Sequence, residues 1–140
     1  MANPVVYFEI GGRNAEGLRE FYSDLFGWNI SEAEAASAAG SPYLFIQNEE
    51  GGIPGGIIKT NENMPPNYVM FYVQADDLQA TLDKVVSLGG SAVVPPTDIP
   101  GGMGQIAVFM DPENNVIGLH KWNEKGWRIG TRKFFDKPCR

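Results

Sequence analysis

One pattern of apolar residues and turn signals occurs twice in the chain, 63 residues apart, and this internal repeat constrains the fold more than any other feature. Residues 4–10, rich in β-branched and aromatic side chains, predict a strand. Asn14 then offers an N-cap for a helix over about 15–26. Its stripe is Leu18, Phe21, Tyr22 and Leu25, and Gly27 ends it. Three short strands are predicted over about 28–34, 42–48 and 53–59, before Pro65-Pro66 interrupts the pattern. The order then returns, with a strand over 67–74 and a helix over 77–88 that turns Leu78, Leu82, Val85 and Leu88 inward and stops at Gly89-Gly90. Strands over about 91–95, 104–110 and 115–121 complete the second copy. Slid by 63 residues without a gap, Phe8 falls on Phe71, Ile10 on Val73, Gly27 on Gly90, Phe45 on Val108, Ile53 on Val116 and Gly55 on Gly118. Few of these pairs are identities, but the apolar register holds across strands and helix alike. The expected fold is therefore α+β, built from two tandem βαβββ units.

A chain of 140 residues with 43% hydrophobic and 20% charged side chains fits one domain with an ordinary core, with pseudo-repeats at about 4–60 and 67–121. No apolar run approaches the roughly 18 residues of a membrane span, and Met1-Ala2-Asn3-Pro4 has no basic stretch leading into an apolar one. Cys139 is the only cysteine, so no disulfide forms within the chain. These features predict a cytoplasmic protein with no membrane partner. Charge is unevenly spread: residues 1–120 carry four basic against fifteen acidic side chains, residues 121–140 seven basic against two acidic. An acidic body repels phosphate backbones, which argues against nucleic acid as a partner. The basic tail, 122–140, holds Trp122, Trp127, Phe134 and Phe135 and is expected to dock on the acidic body or on a second subunit.

Tyr7-Phe8-Glu9-Ile10 leads through the first helix to Phe21-Tyr22-Ser23-Asp24-Leu25-Phe26-Gly27-Trp28. Together with Asp111-Pro112-Glu113-Asn114-Asn115-Val116-Ile117-Gly118-Leu119, this resembles the glyoxalase/bleomycin-resistance/extradiol-dioxygenase (vicinal oxygen chelate) superfamily over residues 4–121. The resemblance implies a cup-shaped, partly open barrel with helices outside and a small organic ligand in the concavity. It also makes a homodimer the expected assembly. The fold hosts isomerases, lyases, dioxygenases and ligand-sequestering proteins, so the reaction has to be argued from the site.

Strand alternation places Phe8, Ile10, Phe71 and Val73 against the helices. Tyr7, Glu9, Met70, Tyr72, Gln74, Gly118 and His120 fall on the cup face. Metal-dependent relatives carry His or Gln early in the first strand of each unit and Glu in the last. By the resemblance, Tyr7 and Met70 hold the first pair of positions here and Gly55 and Gly118 the second. None offers an imidazole or carboxylate, so no metal and no other cofactor is expected. Tyr7, Met70, Tyr72, Gln74 and Gly118 are then the expected ligand-binding residues. Glu9 and His120 share the cup face, and the two are candidates for an acid–base pair; the alternative is that Glu9 lies at a wet mouth and His120 bonds locally. Two readings stay open: a metal-free small-molecule binder, sequestering or cofactor-free catalytic, and a metal-dependent lyase, isomerase or dioxygenase with relocated ligands. The glycine-rich stretches at 51–56 and 100–104 match no phosphate loop and read as turns, the second near the cup rim.

Overall fold

A computed structural model describes residues 2–33, 40–47 and 51–122. The elements run β1 (Val5–Gly12), α1 (Ala15–Phe26), β2 (Asn29–Glu32), β3 (Tyr43–Gln47), β4 (Gly55–Lys59), β5 (Tyr68–Gln74), α2 (Leu78–Ser87), β6 (Ser91–Asp98), β7 (Gln105–Met110) and β8 (Val116–Lys121). The strands form one open mixed sheet in the order β2-β3-β4-β1-β5-β8-β7-β6. The two units meet at the centre, where β1 pairs antiparallel with β5 and Phe8 lies opposite Phe71, the residue 63 positions on. Each unit closes on itself by a parallel pair, β1 with β4 and β5 with β8. Repeat and pairing together give an approximate two-fold axis through the Phe8–Phe71 pair.

The helices start and stop for local reasons. Asn14 accepts a hydrogen bond from the Gly17 N–H at 2.9 Å, and Asp77 accepts one from the Ala80 N–H at 3.0 Å, each satisfying a first-turn donor. Gly27 ends α1 in the left-handed conformation at φ 73°. The helices cover one face of the sheet. Ile30, Leu44, Ile46 and Ile57 pack under α1 with Leu18 and Tyr22, while Leu78 and Leu82 of α2 pack on Ala107 and Leu119.

The helix stripes are narrower than expected. Phe21 and Leu25 on α1 are exposed, as is Leu88 after α2. The helices rest along Ala15–Leu18–Tyr22 and Leu78–Leu82, so the residues at the far edge of each predicted stripe overhang the sheet. β6 also runs three residues past its expected end, through Pro95-Pro96. It is an edge strand whose register with β7 slips at two places, where a proline's missing N–H costs no ladder bond.

The constant 63-residue offset fails in the last strand. β3 and β7 keep it, since Tyr43 and Phe45 correspond to Ile106 and Val108. Against these, Gly56 pairs with Phe45 and Gly118 with Val108, so β4 and β8 correspond at an offset of 62. Gly56, not Gly55, is the counterpart of Gly118. One residue fewer in the turn before β8 accounts for the change. That turn is tight, because the Asp111 carboxylate accepts from the Glu113 and Asn115 N–H groups and Asn114 adopts φ 69°. Among the described residues no helix is long and apolar enough to cross a membrane. The tail from 123 onward, for which docking was expected, lies outside the described residues; Trp122 packs beside His120, ring centroids 3.6 Å apart.

Candidate functional site

The face of the sheet away from the helices encloses a cavity of about 460 Å3 whose wall draws on every strand except β2. Most of that wall is apolar: Phe45, Ile58, Met70, Ile106, Val108 and Met110 line it from β3, β4, β5 and β7. Met64-Pro65 and Ile99 with Met103 close it from two loops, the second being the glycine-rich turn expected at the rim.

The polar exception is Glu9 in the middle of β1, only 6% exposed. Its neighbours follow from strand parity and pairing. Tyr72 and Tyr68 lie on the same face of β5, and Tyr43 reaches across from β3 over Gly56. Tyr43 and Tyr72 donate to Glu9 Oε1 at 2.9 and 3.2 Å, and Tyr68 donates to Oε2 at 2.5 Å. The Tyr43 hydroxyl has one hydrogen and spends it on Glu9, so at its 2.9 Å contact with the Tyr7 hydroxyl it is Tyr7 that donates. Three phenols thus converge on one carboxyl with Tyr7 behind Tyr43, and Tyr7 and Tyr72 also meet edge to face at 5.7 Å.

Burial raises the Glu9 carboxyl above the usual carboxylate range, although the three tyrosine hydrogen bonds pull the other way. The phenols of Tyr7, Tyr43, Tyr68 and Tyr72 are raised as well, by burial and by Glu9 itself, so they remain protonated donors. Desolvation lowers His120 to about 3, which keeps its imidazole neutral near pH 7.

Of the residues expected on the cup face, Tyr7, Glu9, Met70, Tyr72 and His120 line the cavity. Gln74 and Gly118 are not part of the wall. Gln74 sits at the end of β5, its carbonyl accepting from the Asn3 side chain. Gly118 lies beneath Tyr72, whose ring would collide with any Cβ there. Glu9 and His120 both line the cup, at different levels of the sheet. Glu9 is level with Met70 and His120 with Gln74, four residues further along β5. At about 3.3 Å per residue the two backbone levels are ~13 Å apart along the strands. Glu9 is not at a wet mouth, being buried under tyrosines. Tyr68 was missed, though its parity with Met70 and Tyr72 marks it as a cup residue. What no pattern in the sequence indicates is that Tyr43, from a strand 34 residues away, meets the same carboxyl.

The resemblance raised the question of a divalent ion, and the residues present do not fit one. The four corresponding positions, with the register corrected, are Tyr7, Met70, Gly56 and Gly118. A side chain at Gly56 would run into the Tyr43 hydroxyl and one at Gly118 into the Tyr72 ring, so tyrosines fill the space beside both last-strand positions. Among the described residues no group of three His, Cys, Asp or Glu side chains lies together.

The sequence profile of the Glyoxalase/Bleomycin resistance protein/Dioxygenase superfamily matches residues 5–119. CFP32 of Mycobacterium tuberculosis, a glyoxylase by name, is 31% identical over 134 residues, covering 86% of this chain and 49% of that protein. The anthracycline biosynthesis protein DnrV of Streptomyces peucetius is 24% identical over 139 residues, covering 89% of this chain and 46% of its own. The chain therefore spans about half the length of these curated relatives. Among solved structures, methylmalonyl-CoA epimerase from Mycobacterium tuberculosis superposes with a TM-score of 0.60 at 14% identity, covering 86% of this chain and 89% of the epimerase, a likeness of fold.

Proposed function

The chain belongs to the glyoxalase/bleomycin-resistance/dioxygenase superfamily, and we propose that it binds a small organic molecule in its cup without the divalent ion of its metal-dependent relatives. One observation carries the reading: a cavity of about 460 Å3 whose wall is apolar except for a few polar groups, foremost the Glu9–tyrosine cluster. Apolar walls with few converging polar groups are how small-molecule sites combine affinity with orientation. The wall residues suit a flat or hydrocarbon-rich ligand, held by dispersion and burial and oriented at the Glu9 end.

The direct test uses the neutral dye N-phenyl-1-naphthylamine, whose fluorescence rises in an apolar environment. Saturable binding is expected, weakened at least tenfold by Val108→Trp, which fills the cavity from β7. No saturable binding, or binding indifferent to Val108→Trp, removes the cup as the site. Dialysis against manganese, iron, nickel and zinc followed by elemental analysis addresses the metal. One ion retained per chain, and lost in Glu9→Gln, would instead favour a metal-dependent lyase, isomerase or dioxygenase with relocated ligands.

A further inference from the structure

Glu9 is a buried carboxyl to which no positively charged side chain is paired among the described residues. Its contacts there are phenols, and the described residues of the cavity wall include neither lysine nor arginine. Among the described wall residues the basic side chain is His120, on β8. Three donors already serve the carboxyl, two on Oε1 and one on Oε2, which leaves Oε2 the less occupied oxygen. Around it stand the rings of Tyr7, Tyr43, Tyr68 and Tyr72, with Phe45 next to Tyr43.

These features ask for a particular ligand group. A neutral donor would add a fourth hydrogen bond to an acceptor that already has three. A cation would also stabilise the ionised carboxylate that burial disfavours, in a setting where Coulomb attraction is much less screened than in water. Aromatic rings favour the same choice, because their faces attract ammonium groups, and a carboxylate within a set of aromatic side chains suits an organic amine. Resting on the reading of the cup as a ligand site, we propose that its occupant is a cationic amphiphile. An organic ammonium group sits against Glu9 and the tyrosines, and its hydrocarbon or aryl body extends along the apolar wall towards Val108 and Met110.

Three probes sharing one ring system test the head group: 1-naphthylmethylamine, a cation near neutral pH, the neutral 1-naphthylmethanol, and the anion of 1-naphthoic acid. Titrated calorimetrically into the full chain, the amine is expected to bind at least tenfold more tightly than the alcohol, and naphthoate most weakly. Glu9→Gln should bring amine and alcohol within about threefold of one another. Equal binding of amine and alcohol by the wild-type protein overturns the proposal, as does an amine preference that survives in Glu9→Gln. Should Glu9→Gln fail to fold, the wild-type series at low and high salt decides. A preference that persists at high salt belongs to a buried pair, whereas one that vanishes belongs to the acidic surface and overturns the assignment. If N-phenyl-1-naphthylamine binds and the amine shows no advantage, the cationic preference alone falls. If that dye fails too, the cup reading falls with it.

Discussion

Glu9 and His120 were expected to share work because strand parity puts both on the cup face, and they lie at different levels of it. Their titrations should oppose each other. The folded state raises the Glu9 carboxyl above its ordinary 4.5, so it holds that proton more tightly than the unfolded chain does. The resulting stability is complete below about 4.5 and is lost as pH rises through the folded value. Wild type is therefore expected to lose stability relative to Glu9→Gln as pH increases above 4.5, read from urea midpoints at a series of pH values. His120 runs the other way. Its folded value of about 3 lies below the ordinary 6.5, so its contribution is complete above 6.5 and is lost as pH falls towards 3. His120→Gln should flatten the acid limb of the stability profile. It should also shift the midpoint near neutrality, since the ring is buried against Trp122 and its removal disturbs packing.

Within the elements, glycines decide what the neighbouring strands and helices can do. Gly27 caps α1 at φ 73° with nothing within 4 Å of where a Cβ would stand, so Gly27→Ala isolates backbone strain. It is expected to cost about 1 kcal/mol by thermal or chemical unfolding, with dye binding unchanged. Gly56 differs. A methyl there meets the Tyr43 hydroxyl and ring, so Gly56→Ala should displace Tyr43 from Glu9 and weaken cup binding several-fold in the same dye assay. Unchanged dye affinity in Gly56→Ala would detach the tyrosine cluster from ligand binding. Helix positions, the Asn14 cap and the glycine stop at Gly27 were legible, because they depend on side chains within a few residues. The overhang of Phe21 and Leu25 was not, since periodicity gives a helix its apolar side without saying how far the sheet beneath extends.

At the scale of the whole molecule, the two units join through β1 and β5 and leave apolar side chains uncovered on the outer, helix-bearing face. Val69, 75% exposed, and Phe71, 41% exposed, lie on β5 where the units join, Val69 also bordering the cup. Sedimentation velocity of wild type and Val69→Glu checks the expected homodimer; a weaker dimer in the variant assigns pairing to this face, and an unchanged one assigns it elsewhere. By itself the sequence determined the α+β class, the βαβββ repeat, the cap and stop of the first helix and the cup parity of Tyr7, Glu9, Met70 and Tyr72. All of these follow from local periodicity and from a duplication that copies one pattern twice. Tertiary structure alone decided three things: that the last strands correspond at 62, that Tyr43 and Tyr68 join Tyr72 on one carboxyl, and that His120 stands about 13 Å along the sheet from it. Each is a matter of register between strands distant in the chain. Alternation fixes which face a side chain takes, while the level at which two strands meet is set by the turns and packing that join them.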